Sequence, residues 1–430
     1  MKLRTLHNSE ESTQENPVTS SEKIPEENPA SPEDTVEPAL LHHSPVRLFL
    51  MTNNFETGGS ERQFSVLAQN LRPEQFQVHL GCIQSTGPFA RDFGEVPEFW
   101  LGSNLYGLKS WRARLRLSRS LRRQHIQIAH AFDFYTNLTL IPAARFARVP
   151  VVIGSQRQIG DLLTPRQFRA QAAAFRWCDA VVCNSRAAAD RLAAEGMSRD
   201  KLVVIGNALP AEAFAPAPAA LPKRPGSLRV GMVARMNHRY KNHSGFMRIA
   251  RRIQQQMPNV EFLLAGDGPL RAELEREAQT LGIGDRVVFL GDRRDIPAVM
   301  ASLDVAVLTS DSESLSNVIL EAMAAGLPVV AYRVGGNAEL IDEKRGDEKR
   351  GQLISAGDEE GFAAAVERLL SAPSIRAQFG HNARKFAEEN FGLENVRARY
   401  EACYQTLLEK KGVRTPLGTW RPTTEAQRNG

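Results

Sequence analysis

Two glutamates, Glu313 and Glu321, stand eight residues apart in a stretch whose character changes between them. Upstream, Asp304-Val305-Ala306-Val307-Leu308 is an apolar, β-branched run of strand length. Ser316 is a helix-capping residue type, Gly326 a helix stop, and Pro328 opens the next apolar run. The predicted order is strand, polar turn, helix N-terminus. Free amides at such a terminus, near Leu315, Ser316 and Asn317, together with the positive end of the helix dipole, suit the diphosphate of a nucleotide. Glu313 falls in the turn, and Glu321 lies about one and a half turns into the helix at ~3.6 residues per turn. One carboxylate can then face a sugar while the other reaches ribose hydroxyls. Spacing alone would not carry this, because two glutamates at that interval also describe a solvated helix face.

The surrounding elements must place these groups. Strand-like runs recur at Val46–Met51, Ile126–Ala131, Ala180–Cys183, Leu228–Val233, Val260–Ala265, Val287–Leu290 and Val329–Tyr332, alternating with amphipathic helical stretches. At 430 residues the chain suits two domains. The pattern predicts an α/β protein of two facing doubly wound, Rossmann-like domains with an interdomain cleft, since ligands of such sheets bind beyond the carboxyl ends of their strands. We expect a disordered acidic segment over 1–45, an N-terminal acceptor-side domain over 46–210, a Pro/Ala-rich linker over 211–226 and a donor-binding domain over 227–395. A helix over about 396–411 should return to the first domain, with a loose tail over 412–430. Glycines at Gly58 and Gly59 follow the first strand, where the missing Cβ lets backbone approach a phosphate.

Over roughly residues 228–341 the chain closely resembles retaining glycosyltransferases of the GT-B fold, family 4. The segment from Glu313 to Glu321 resembles that family's Glu-x7-Glu signature, and Arg235 with Lys241 matches its Arg-x5-Lys phosphate clamp. Gly266 and Gly291 stand where the family turns beside the nucleotide, and Gly335-Gly336-Asn337-Ala338-Glu339 matches its Gly-Gly-x-x-Glu turn. The N-terminal likeness is thinner: the Gly58-Gly59 loop, His130 at the position of a histidine facing the donor sugar, Asn184 and Asn207. Ala208 departs from the glycine usual after that asparagine. The resemblance implies metal-independent, retaining transfer of a sugar from a nucleoside-diphosphate donor, a UDP-sugar first and a GDP-sugar second, with no cofactor. Arg235, Lys241, Gly58, Gly59 and the helix amides would neutralise the leaving diphosphate. Glu313 would hold sugar hydroxyls, Glu321 the ribose, and His130 the donor sugar or its oxocarbenium-like transition state. A glycan or lipid-linked acceptor in cell-surface or extracellular polysaccharide or glycolipid synthesis is implied.

Composition adds limits. The formal charge of +5 conceals an acidic head, with nine acids against three Lys or Arg in residues 1–45, so that residues 46–430 carry about +11. Seven cations fall within Lys109–Arg123, whose Trp111, Leu115, Ser118 and Leu121 lie near one helical face. This is read either as an ordinary helix buried through that face or as a docking element for anionic membrane. No nucleic-acid-binding motif accompanies the charge. Lacking a run of roughly 18 apolar residues, the protein is expected in the cytoplasm, at most peripheral on the inner face of the plasma membrane. Cys82, Cys178, Cys183 and Cys403 show neither metal nor disulfide spacing. The repeated Asp342–Gly346 and Asp347–Gly351 unit reads as an expanded surface loop. No glycine turn forms the Gly-x-Gly-x-x-Gly of a dehydrogenase. A nucleotide-sugar epimerase on the same fold, or a non-catalytic nucleotide-sugar sensor or scaffold, remains an alternative reading; a phosphorylase would need a pyridoxal-phosphate lysine for which no motif is present.

Overall fold

The computed structural model describes residues 44–102, 105, 107–341 and 348–413. Most of the acidic head, the first repeat unit of the expanded loop and the tail from residue 414 lie outside the described residues. In chain order the first half runs β1 (Val46–Thr52), α1 (Gly59–Asn70), β2 (Phe76–Cys82), α2 (Leu108–Arg123), β3 (Ile128–Ala131), α3 (Phe134–Ala147), β4 (Val151–Gln156), α4 (Pro165–Phe175), β5 (Ala180–Cys183), α5 (Arg186–Ala194) and β6 (Leu202–Val204). The second half runs β7 (Leu228–Val233), α6 (His243–Gln256), β8 (Val260–Ala265), α7 (Arg271–Thr280), β9 (Val287–Gly291), α8 (Ile296–Met300), β10 (Val305–Leu308), α9 (Asn317–Ala324), β11 (Val329–Tyr332), α10 (Asn337–Leu340), β12 (Gly351–Ile354), α11 (Glu359–Ser371), α12 (Pro373–Phe391) and α13 (Leu393–Lys410).

The strands form two six-stranded parallel sheets, ordered β2-β1-β3-β4-β5-β6 and β12-β11-β10-β7-β8-β9. Both belong to one compact unit. Each sheet is covered on both faces, which is why its strands are apolar throughout rather than alternately polar. The strand period of two sorts side chains between the faces. In the first sheet Val46, Leu48 and Leu50 point to one layer and Phe49 and Met51 to the other; β5 does the same with Ala180 and Val182 against Val181 and Cys183. Chain order reverses direction between β1 and β3 and between β7 and β10. Those switch points leave a crevice at the strand ends, where the loops after β1, β7 and β10 emerge.

The chain passes between the two sheets twice. It leaves the first at Leu209 and returns at Gly392, between α12 and α13. The two passes are hydrogen-bonded to each other, Leu209 N–H to Phe391 C=O at 2.8 Å and Leu393 N–H to Leu209 C=O at 2.9 Å. After the return, α13 lies on the first sheet and buries Val396, Tyr400, Tyr404 and Leu408 in the layer that holds Leu48, Ile128 and Ile153. Arg72 Nε donates to Glu401 at 2.9 Å and Lys411 Nζ lies 2.7 Å from Asp179, fixing the middle and the C-terminal end of that helix.

The α2 face differs from expectation. Ser110, Ala113, Leu117, Ser118 and Leu121 are buried, whereas Trp111 and Leu115 point outward at 53% and 43% exposure, beside Leu108 at 77%. The inward line follows the three- and four-residue spacing from Ser110 through Ala113 and Leu117 to Leu121, where small residues allow close packing on α3. That rotates Trp111 and Leu115 out among Lys109, Arg112 and Arg119.

Tyr404 is fully buried, packs edge-on against Phe76 and bonds to His130. We expect Tyr404→Ala to lower the unfolding free energy by about 3–5 kcal/mol, the usual range for truncating a buried aromatic. Urea titration of wild type and variant measures this, and a loss below about 1 kcal/mol would mean that α13 docks without the ring.

Candidate active site

The loop from Thr309 to Ser316 leaves β10 at the switch point of the second sheet and runs straight into α9. Ser316 caps that helix, its Oγ accepting from Ile319 N–H at 3.3 Å. The amides of the first turn are therefore oriented into the crevice, as is the positive end of the dipole. Across from it stands the other helix start. An added Cβ at Gly59, the first residue of α1, would lie 2.9 Å from Asn317 Nδ2, so the two N-termini approach as closely as they do because position 59 has no side chain. Asn207 bridges the seam, donating from Nδ2 to Asn317 Oδ1 at 2.6 Å and to Leu315 C=O at 3.3 Å.

Two ion pairs and one cation–carbonyl hydrogen bond draw this region together. Lys241 Nζ donates to Glu313 Oε1 at 2.7 Å, both side chains being largely enclosed. Arg235, on the turn after β7, reaches the first domain and donates to Thr57 C=O at 2.6 Å, just before Gly58. Glu321 is almost buried; burial pushes its proton affinity up, while an ion pair and hydrogen bond from Arg62 of α1 oppose that. Gly266 bends back on the end of β7. Its φ is +135°, its N–H donates to Gly291 C=O at 2.8 Å, and a Cβ there would meet Ala234 C=O at 2.0 Å, so Gly266 packs on the backbone just before Arg235 and is tied to Gly291.

The Gly335-Gly336 turn supports Glu313 from behind. Gly335 has φ +47°, and a Cβ on it would sit 1.7 Å from the Glu313 carbonyl oxygen; Gly336 N–H donates to that same oxygen at 3.2 Å. Three residues on, the Glu339 carboxylate accepts from the Arg186 and Ala187 amides at 2.8 and 2.9 Å, completing the first turn of α5 in the opposite domain. Ser314 Oγ donates to Asn184 Oδ1 at 2.6 Å. The segment bearing Glu313 is thus braced from both domains.

The structure accordingly gathers Gly58, Gly59, Arg235, Lys241, Glu313, Leu315, Ser316, Asn317 and Glu321 at one seam, with Gly266 and Gly291 beside it. His130 is not among them. It sits one residue before the end of β3, on the face covered by α13, with no exposed surface; Nδ1 is 2.8 Å from Tyr404 Oη and Nε2 2.8 Å from Ser155 Oγ. The strand alternation that puts Ile128 and Phe132 under α13 puts His130 there too. An imidazole so committed has no nitrogen for a sugar, and the expected role gives way to one in packing. Four contributors carried no role in the sequence reading: Arg62, Thr57, Ser314 and Glu61. The Glu61 carboxyl is pushed up by burial and by Asp133, against Arg235 and Arg157. All four become meaningful only when two distant segments meet.

Residues 57–213 match the profile described as Glycosyltransferase Family 4, and residues 227–372 match that described as Glycosyl transferases group 1. The chain belongs to this glycosyltransferase family. It is 31% identical over 226 residues to the lipopolysaccharide core biosynthesis glycosyltransferase LpsE of Rhizobium meliloti, covering 53% of this chain and 64% of that one. Over 319 residues it is 28% identical to the Escherichia coli UDP-Gal:alpha-D-GlcNAc-diphosphoundecaprenol alpha-1,3-galactosyltransferase, covering 69% of this chain and 80% of the relative. Three of the curated relatives it matches, LpsE among them, are spanned over only 38%, 64% and 48% of their own length. Among solved structures, Anabaena HepE, crystallised with UDP, superposes with a TM-score of 0.72 at 21% identity, over 84% of this chain and all of that one. The architecture is the GT-B fold.

His130 also makes a measurable contribution to acid sensitivity. Burial, with a smaller effect of the Arg157 charge, lowers its pKa to about 3 from an ordinary 6.5. Between those values the unfolded chain binds a proton that the folded one does not, so this group's contribution to stability falls as pH falls through the window. His130→Asn should therefore show a shallower decline in unfolding free energy from pH 6.5 to 4 than wild type does. Parallel declines would mean that the imidazole is protonated in the fold.

Proposed function

We propose that this protein is a metal-independent retaining glycosyltransferase moving a sugar from a nucleoside-diphosphate donor to an acceptor hydroxyl. One observation carries the reading: two helix N-termini from opposite domains converge where Arg235, Lys241, Glu313 and Glu321 also meet. That arrangement offers fixed positive potential to a diphosphate and carboxylates to hydroxyls on either side of it. In the reaction the bond from the anomeric carbon to the diphosphate oxygen breaks and a bond from that carbon to the acceptor oxygen forms. The acceptor proton passes to the departing phosphate on the same face, as the family resemblance implies. Arg235 and Lys241 turn from Thr57 and Glu313 to the growing phosphate charge. Glu313, released, holds the sugar hydroxyls, and Glu321 accepts from the ribose.

A UDP-sugar is favoured as donor and a GDP-sugar second. HepE, which shares the fold, was crystallised with UDP and with UDP-glucose, and the E. coli relative is named for UDP-Gal. A lipid-linked or glycan acceptor in surface polysaccharide or glycolipid synthesis fits the names of the relatives. We further propose that α2 docks the protein on anionic lipid. Its outward side combines Leu108, Trp111 and Leu115 with Lys109, Arg112 and Arg119, and the helix contains no acidic residue. Apolar insertion and charge attraction add on such a surface. Among the described residues no helix is long and apolar enough to cross a membrane.

Thermal shift against a panel of UDP- and GDP-sugars tests the donor site. One donor class should raise the melting temperature of wild type and leave Lys241→Ala and Glu321→Ala unchanged, because only a ligand of the native state stabilises it. Transfer from that donor to a lipid-linked acceptor follows. Stabilisation without turnover would favour a sensor, release of an altered free nucleotide sugar an epimerase, and no shift at millimolar donor would remove the donor reading altogether.

Co-sedimentation tests the membrane surface. Vesicles containing phosphatidylglycerol should pellet wild type, and Trp111→Ala with Arg112→Glu should stay in solution. Equal pelleting of both would place lipid contact elsewhere.

A further inference from the structure

Arg62 has no part in the reaction as set out above, yet it is the side chain through which the first domain touches a donor-site carboxylate. It lies in the first turn of α1, three residues past Gly59 and five past Thr57, and its Nη1 donates to Glu321 Oε1. Glu321 is the single charged residue of α9, whose Ile319, Leu320, Ala322 and Met323 are all buried. A carboxylate in such a helix needs a counter-charge. Among the described residues only Arg62 donates to it, and to one oxygen only. The other oxygen retains its acceptor capacity, and a cis-diol is a donor pair suited to an ionised carboxylate. Close approach of Gly59 to Asn317 sets the distance over which the guanidinium must reach.

We propose that Arg62 is a positioning residue for ribose recognition: it orients Glu321 so that the second carboxylate oxygen faces the ribose diol of the nucleotide. This rests on the donor-site reading of the preceding subsection. Because Arg62 and Glu321 belong to opposite domains, the ribose site is complete only with the domains together. The phosphate-binding groups do not share that dependence on Arg62.

Calorimetric titration with UDP, GDP and their 2′,3′-dideoxy forms separates these claims. Wild type should bind the ribo form of its preferred nucleotide about tenfold or more tightly than the dideoxy form, as expected for hydrogen bonds to a charged acceptor. Arg62→Ala should reduce that preference to about twofold or less while leaving dideoxy binding unchanged, and Arg62→Lys should restore part of it. Glu321→Gln should abolish the preference as well. Arg62 is 39% exposed, so the variants should fold, and their melting temperatures check this. A preference undiminished in Arg62→Ala, an equal weakening of both forms, or no ribo preference in wild type each overturns the role of Arg62 while the donor site stands. Binding of neither nucleotide by wild type overturns the donor reading and this role with it.

Discussion

Two largely enclosed carboxylates set the conditions for the rest of this molecule. Glu313 precedes α9 and Glu321 lies in its buried stretch from Ile319 to Ala324, and neither has a cation within its own loop or helix. Removing charge from water without a partner is expensive enough that the group would protonate instead. Their partners therefore come from elsewhere: Lys241 from the loop after β7, and Arg62 from the opposite domain. The site is self-neutralised, Glu313 by Lys241 and Glu321 by Arg62. A polyanionic ligand would exchange one set of charge pairs for another rather than bring uncompensated charge into the seam.

Topology explains how residues so far apart in sequence come to share a few ångströms. In each sheet the chain reverses its direction of winding beside its first strand, and the loops at that point have no neighbouring crossover to cover them. Arg235 and Glu313 leave the two strands at the switch point of the second sheet, and Thr57 follows β1 at that of the first. The bracing is equally distributed. Glu339 completes a helix in the other domain, Ser314 is held by Asn184, and Asn207 spans to Asn317. Asn184 and Asn207 follow β5 and β6 of the first sheet, so that sheet braces the segment between Glu313 and Asn317 from across the seam.

What the sequence disclosed was the part governed by local rules. The strand runs, the Ser316 cap, the stop at Gly326 and the order of glycine turns follow from residue type and spacing, and all reappear in the elements that carry the site. Arg62 was invisible because its significance depends on a contact 259 residues away. His130 was misplaced for a different reason: its position in the chain was right for the crevice, but strand alternation turned its side chain beneath a helix supplied by the far end of the chain. The face that α2 turns inward was left open for the same reason. Trp111 and Leu115 satisfy an amphipathic pattern, and only the packing of Ser110, Ala113 and Leu117 on α3 decides which stripe is inward. Where one element determines the answer the sequence is informative, and where two must meet it is silent.

The paired passes at Leu209 and Gly392 have a mechanical meaning. A single connecting thread would let one half swivel about it freely, but two threads laced together by backbone hydrogen bonds resist torsion and permit bending chiefly in one plane. The junction then acts as a door hinge with its pin at Leu209, and α12 and α13, broken at Gly392, behave as the two leaves, one fixed to each half. Motion of the halves would be close to a single degree of freedom, so that all groups in the seam would part together, each by an amount proportional to its distance from that pin.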